Sequence, residues 1–403
     1  MLGPAAHASP APAAPAAGAT TFSGNLSSSL SPLLSPLSPL LSSFLQLPPP
    51  ASSASCAPIT TLTIKHVHWV YDVTTSDLGI LTASEDRTAK FYSLLGSLIC
   101  TLRHGTPVLA VCFLSLHQRS LPPRACTGGK DGGLRVWSLV DGTLLHELLG
   151  EHHGPVRTMT ASHDGRTLVS AGLDGVVRCW RVDADEHRAA VTLDKAIAGI
   201  HARRVMVTAV SLNDSHLLSA GYDCTAQVVE IGSGEVSITF RGHTKAIRAG
   251  CFIPNWRACT GGKDCVVKIW NWLSGMEIMT LPHPDAIVAL ASCTSSMVLS
   301  ACADAHIRIF DADNGRLLKT LSTTHSEHWT NRLHVHRNLV YTASDDHSAK
   351  AVDVFAPESA RFRALAHAIL SLPVSAATPC KLPVDALKLI KTYAVPRKLG
   401  GNF

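Results

Sequence analysis

The sequence predicts an all-β ring of seven repeated modules, a β-propeller, and three observations carry that expectation. An Asp follows a Ser or Thr by four residues seven times, at Asp86, Asp131, Asp174, Asp223, Asp264, Asp304 and Asp346, with gaps of 45, 43, 49, 41, 40 and 42. Self-similarity at this period marks architectures whose unit cannot bury its apolar face alone and therefore stacks on its neighbours. Each Asp also belongs to a fixed constellation. A hydroxyl stands at minus four (Thr82, Thr127, Ser170, Ser219, Thr260, Ser300, Thr342) and a His precedes each unit (His66, His104, His152, His201, His243, His283, His325). An aromatic occupies plus six in five repeats, as Tyr92, Trp137, Trp180, Trp270 and Phe310, with Val229 and Val352 in the other two. Finally, every unit splits into short β-rich runs separated by Gly, Asp and Asn turns.

Repeat five shows the expected unit. Ala246 to Phe252 reads as inner strand a, Ala258 to Gly261 as b, Val266 to Asn271 as c and Met276 to Leu281 as outer strand d, with Lys263-Asp264 in the b–c turn. Four such strands per blade, packed face to face, would bury Val, Leu, Ile and Ala and leave only short edges. The His-to-Asp distance is 20 to 22 residues except in repeat two, where 27 implies an insertion. Two long insertions stand out: Leu116 to Arg124 in the a–b loop of blade two, and Asp183 to Ile197 in the c–d loop of blade three. Closure of the ring needs one more outer strand, and two segments fit, Ile59 to Lys65 and Ala360 to Ala366.

The run from Arg241-Gly242-His243 through Cys259-Thr260-Gly261-Gly262-Lys263-Asp264 to Lys268-Ile269-Trp270 resembles the WD40-repeat family, and the resemblance extends from about residue 59 to about residue 367. No repeat ends in the family's Trp-Asp; the pairs are Trp137-Ser138, Trp180-Arg181 and Trp270-Asn271, with Phe310-Asp311 nearest. The resemblance implies a seven-bladed propeller of residues 59–367, clasped by the N-terminal strand. It also implies a buried relay in each blade: Asp accepts from His, His meets the hydroxyl, and the hydroxyl meets the indole N–H. Trp can only donate and ionised Asp can only accept, which gives the chain a direction. Full sets occur at His104, Thr127, Asp131 and Trp137; at His152, Ser170, Asp174 and Trp180; and at His243, Thr260, Asp264 and Trp270. Blades four and seven lack the indole and are expected to be softer, with Asp264→Ala costing more than Asp346→Ala.

A hydroxyl, an imidazole and a carboxylate are also the parts of a catalytic triad. Seven copies in phase suit a structural element better than a catalytic centre, which is needed once. The expectation is a non-enzymatic protein without catalytic residues, cofactor or metal. Twelve Cys contain no C-x-x-C pair and fall mostly in strands, as do Cys100, Cys126, Cys179 and Cys259, and so read as reduced core residues of a cytoplasmic or nuclear protein.

Residues 1–58 contain no Asp, Glu, Lys or Arg and are rich in Ala, Pro, Ser and Leu. They read as a disordered tail, since Pro32, Pro36 and Pro39 oppose a spanning helix and a secretory leader would carry positive charge. Residues 368–403 form a basic tail with a short helix expected over Val384 to Tyr393. The tail carries +4, so removing it from the net +5 leaves about +1, too little for a nonspecific nucleic-acid binder.

Function is therefore expected on the faces of the ring. The family places side chains three and five residues after the His, and one before the Asp, around the channel on one face, the top. Those offsets give Trp69, Tyr71 and Glu85 in blade one, Lys130 in blade two, Arg157 in blade three, and Arg204, Met206 and Tyr222 in blade four. Arg248 and Lys263 follow in blade five, His328 and Asp345 in blade seven. An Arg-rich arc on blades two to five beside aromatics on blades seven and one is the composition of an interaction site for acidic or phosphorylated peptides. A scaffold joining other proteins, a monomeric ring within a complex, is the leading reading. The alternative is a substrate-recognition subunit of a ubiquitin ligase, although no F-box-like segment or Trp-Asp-x-Arg ending is present.

Overall fold

Short apolar runs broken by turns every few residues leave antiparallel pairing as the only way to satisfy the backbone, and each repeat closes into a four-stranded sheet. In this computed structural model the described residues are 59–354, apart from 115–121, 184–190, 295–296, 323–324, 326–327 and 338. The segment 1–58, the rival closing strand Ala360–Ala366, the expected helix Val384–Tyr393 and residues 116–121 and 184–190 of the two insertions lie outside them. Among the described residues, 28 strands form seven antiparallel sheets of four.

Blade five runs Ile247–Ile253, Arg257–Gly262, Val266–Asn271 and Glu277–Pro282, within one or two residues of the sequence reading. The insertion of blade three is shorter than expected, because Val191–Ile197 is itself the outer strand and pairs with Val177–Val182. Blade seven takes its outer strand from the start of the chain. Ile59–Lys65 pairs antiparallel with Ser348–Asp353, from Ile59 opposite Asp353 to Lys65 opposite Ser348. The inner strands pack in sequence around a central channel, and Thr330–His336 meets Val70–Ser76 to close the ring.

The core consists of seven separate apolar layers, one between each pair of neighbouring blades. Between blades four and five, Leu218, Val228 and Phe240 meet Ile247, Phe252 and Trp270, all buried. At the closure, Ile64 joins Val70, Val73, Ile80, Tyr341 and Ala351. The N-terminal strand therefore contributes apolar surface as well as hydrogen bonds.

Two local devices recur in every blade. Strand a carries a β-bulge near its start that leaves one residue without a partner on strand b: Tyr71, Leu109, Arg157, Met206, Arg248, Val288 and Asn331. Such bulges re-aim a side chain. The residue after each recurring Asp has positive φ: Arg87 (64°), Gly132 (79°), Gly175 (75°), Cys224 (66°), Cys265 (64°), Ala305 (62°) and His347 (65°). Only two of these are glycine, so five blades carry strain in the b–c turn that the surrounding bonds must hold.

Two outcomes follow. Ile64→Ala should lower stability by about 2–4 kcal/mol in denaturant titrations, since it opens a cavity at the closure; a loss under about 0.5 kcal/mol would mean that the N-terminal strand does not clasp the ring. Ala305→Gly should raise stability by about 1 kcal/mol, because glycine meets no Cβ penalty at this φ; no gain would mean that the turn is unstrained.

Candidate interaction face

The recurring Asp joins the two loops at one end of each blade. Its Oδ1 accepts the backbone N–H two residues on, from Thr88, Gly133, Val176, Thr225, His306 and Ser348 in six blades. In four blades its Oδ2 accepts the N–H of the residue after the His: Val67, His153, Ala202 and Thr244. A second bond repeats beside it: the residue before the Asp donates its N–H to a carbonyl of the d–a loop, as Glu85 to Trp69, Tyr222 to Arg204 and Lys263 to Ala246. The b–c turn and the d–a loop are thereby laid side by side on one face.

The relay closes this arrangement from below. In blade five His243 Nδ1 lies 2.8 Å from Asp264, its Nε2 lies 2.8 Å from Thr260 Oγ1, and Trp270 Nε1 donates to the same hydroxyl at 2.8 Å. Blade three repeats it through His152, Asp174, Ser170 and Trp180 at 3.0, 2.7 and 2.8 Å. Blades one, four and seven make the His–Asp and His–hydroxyl bonds without an indole. The hydroxyls of Ser170 and Thr260 are fully buried and shared between ring nitrogen and indole, so they are out of a substrate's reach.

Blade two departs from the expected full set. Trp137 donates to Thr127 at 2.8 Å, but among the described residues neither ring nitrogen of His104 has a partner, and Asp131 is held instead by both terminal nitrogens of Arg135. Blade six makes the same exchange: Arg308 takes both oxygens of Asp304, and His283 Nδ1 turns to the Leu281 carbonyl at 3.0 Å. The cause is the residue four places after the Asp. A guanidinium there can grip a carboxylate bidentately, whereas Lys90, Gln227, Lys268 and Lys350 at the same place cannot, and there the His keeps its acid. Blade three holds both, since Arg178 and His152 share Asp174.

The carboxylate bonds order blades five and seven the other way from the indoles. Asp346 accepts from His325, from the Ser348 hydroxyl and N–H, and from Lys350, whereas Asp264 Oδ1 has no partner among the described residues. Two side chains make the difference: Ser348 has a hydroxyl to donate where blade five has Val266, and Lys350 reaches its Asp where Lys268 turns to Glu277 and Thr280.

The top-face candidates do not form one basic arc. Arg157 crosses towards blade one, its guanidinium 5.7 Å over the Tyr71 ring, and Trp69 meets the same ring edge-on at 6.4 Å. Burial and the Glu85 carboxylate, bonded at 2.9 Å, push the Tyr71 phenol well above its usual pKa. Lys130 reaches Glu85 at 3.5 Å, an exposed pair of little energetic weight. Arg248 crosses towards blade seven and lies 5.6 Å over Trp329. Lys263 lies 5.4 Å over Tyr222, and Arg204 is exposed beside them. Cations and aromatics are thus interleaved rather than segregated.

The sequence offsets miss the group from blade seven. There the register is one residue longer, so the loop carbonyl bonded by Asp345 belongs to Trp329 rather than His328, and the bulge falls on Asn331. Below the mouth, buried Asp72 accepts from Val111 N–H at 3.0 Å and pairs with Arg332 at 3.2 Å. Among the described residues no group of three His, Cys, Asp or Glu side chains could hold a metal ion, and no helix is long and apolar enough to cross a membrane.

Two outcomes test the relay. Asp346→Ala should lower the melting temperature more than Asp264→Ala, each costing about 1–3 kcal/mol; the reverse order would restore the indole as the deciding feature. The second is pH. Burial lowers the pKa of His66, His243 and His325 despite their Asp partners, and burial with Arg135 brings His104 to about 4. Between those folded values and the unfolded value of about 6.5 the unfolded chain binds more protons, so this stability is complete above 6.5 and lost as pH falls towards 4. Burial alone would raise Asp86 and Asp174, but their His bonds hold both well below the usual carboxylate range, so their contribution fades only in stronger acid. Calorimetry from pH 8 to 4 should show a plateau, then a decline beginning near about 6.5; a flat profile to pH 4 would contradict it.

Comparison with known proteins agrees with this geometry. The WD domain, G-beta repeat model matches residues 96–138, 142–181 and 234–271. Each match starts near an outer strand and ends at the following strand c, and these are the three units with an indole at plus six. Protein tipD of Dictyostelium discoideum is 25% identical over 213 residues, 50% of this chain and 33% of that protein. The human angio-associated migratory cell protein is 24% identical over 258 residues, 62% of this chain and 53% of its own length. Human F-box/WD repeat-containing protein 10 is 29% identical over 117 residues, 28% of this chain and 11% of that protein. The chain thus spans a third to about half of the first two relatives. Propellers of this kind commonly act as protein-interaction scaffolds and are generally not enzymes. With seven blades built on one recurring His, hydroxyl and Asp framework, the chain is a seven-bladed propeller that carries WD40 repeats.

Proposed function

We propose that this chain is a non-enzymatic scaffold that binds acidic or phosphorylated partner peptides on the top face, working in the cytoplasm or nucleus. The observation that carries the reading is the set of aromatics and cations on that face: Trp329, 49% exposed, lies under Arg248, and Trp69, 43% exposed, meets edge-on the Tyr71 ring that Arg157 covers. Large amphipathic rings next to arginine supply most of the binding free energy at protein interfaces. Arg204 and Lys263 extend the positive rim on blades four and five. Segments 1–58 and 368–403 flank the ring in this reading as separate elements.

The F-box/WD relative favours a second reading, recognition of substrates for a ubiquitin ligase. Both readings use the same face and differ in what else is bound. Affinity purification with mass spectrometry should recover a partner set that Arg204→Glu/Arg248→Glu largely abolishes. An unchanged set would refute top-face binding, and cullin or adaptor subunits in the wild-type set would select the ligase reading.

A further inference from the structure

Among the described residues, two blades carry a pair of cysteines directly across strands a and b. Cys112 stands opposite Cys126 in blade two, and Cys251 stands opposite Cys259 in blade five. All four are free thiols, and the two b strands, Arg124–Gly129 and Arg257–Gly262, have the same sequence. The pairs differ in reach. Cys112 and Cys126 are both buried, whereas in blade five only Cys259 is, and Cys251 is partly exposed where strand a lines the channel. Burial raises the Cys112 thiol well above its ordinary value and pushes Cys126 up to about 12. Burial also raises Cys259, and its hydrogen bond to Cys251 adds to this, so Cys259 keeps its proton and Cys251 is the sulfur left to ionise. The thiolate is the reactive form, and in blade five it arises on the side that small molecules can reach.

Opposed residues of an antiparallel pair have Cα atoms about 4.5–5.5 Å apart, inside the range that a disulfide bridges. Their Cβ atoms must draw in to about 3.8 Å, which strains the strands and makes such a bond easy to reduce.

We propose that Cys251 and Cys259 are a reversible oxidation site, at which a peroxide entering the channel converts the opposed thiols into a disulfide. The Cys251 thiolate attacks the peroxide and breaks its O–O bond; one oxygen stays on Cys251 as a sulfenic acid, and the other leaves as hydroxide and takes up the proton that Cys251 released. The Cys259 sulfur then displaces the sulfenic oxygen, which departs with the Cys259 proton as water while the S–S bond forms. Two thiols and one hydrogen peroxide thus give one disulfide and two waters. Exchange with a small thiol such as glutathione restores the pair. The bond closes the hairpin of residues 251–259 around Asn255 and Trp256, both at positive φ (64° and 60°), and so stiffens the turn that holds the half-exposed Trp256.

The test treats the full chain with hydrogen peroxide, blocks the remaining thiols and maps tryptic fragments by mass spectrometry. The proposal expects residues 249–257 joined to Ala258–Lys263, two hydrogens lighter than the separate thiols, and at least about tenfold more of this link than of Cys112–Cys126. Ala125–Lys130 has the same sequence as Ala258–Lys263, so variants assign the partner: Cys259→Ser should abolish the link and Cys126→Ser should keep it. Glutathione should reverse it in the folded protein. Cys251 recovered as a thiol while Cys224 and Cys265 are oxidised would overturn the site, as would Cys251 joined to any other cysteine. Equal linkage in blades two and five would overturn the selection by the channel, and a link that resists glutathione would overturn its reversibility. If Cys259→Ser does not fold, chymotrypsin decides in the wild type, because its fragments around Cys126 and Cys259 differ in sequence; a link to the Cys126 fragment would overturn the proposal.

Discussion

The carboxylate at the end of strand b is the group on which this structure depends. In one position it accepts from the b–c turn and, in most blades, from the d–a loop and the buried His as well. A carboxylate has enough lone pairs to do all three, and hydrogen bonds to an ionised acceptor are the stronger kind. The turn it holds is strained in four blades, with Arg87, Cys224, Ala305 and His347 in a left-handed conformation. The charged hub offsets that strain, and the rigid loop pair it creates is the platform for Trp69, Arg204, Tyr222 and Lys263.

The hub and the bulge divide the work. The hub sets the height and direction of the loops, while the bulge turns one side chain per blade towards the channel. Repetition of both makes the mouth a ring of seven slots whose contents differ from blade to blade. Tyr71, Arg157, Arg248 and Asn331 are polar, whereas Leu109, Met206 and Val288 are not. The same scaffold geometry therefore presents a surface particular to this chain.

Much of this was legible in the sequence because the repeat is chemical as well as numerical. The seven Asp positions and the strand pattern follow from spacing and apolar alternation, whereas spacing left both Ile59–Lys65 and Ala360–Ala366 open as the closing strand and only the family resemblance favoured the first. Side-chain competition was less legible. The Asp–His spacing in blades two and six says nothing about Arg135 and Arg308, whose forked geometry takes the acid from the His; the signal was the Arg four places on. Blade seven was misread by one residue, since an extra residue before strand a replaces His328 with Trp329 at the conserved slot. The interleaving of Arg157 with Tyr71 and of Arg248 with Trp329 depends on long side chains crossing between blades, which spacing along the chain cannot show. The Asp72–Arg332 pair is of this kind too, joining blades one and seven through space.

Residue-resolved hydrogen exchange of Asp223→Asn tests the hub most directly, because blade four has neither an indole nor an arginine at the competing place. The amides of Ala202 and Thr225 both donate to Asp223. Both should exchange at least about tenfold faster in the variant, roughly the loss of one charge-assisted bond each, while amides of blade one keep their rates. Unchanged rates at Ala202 and Thr225 would contradict it, since the loops would then be held by something other than the acid.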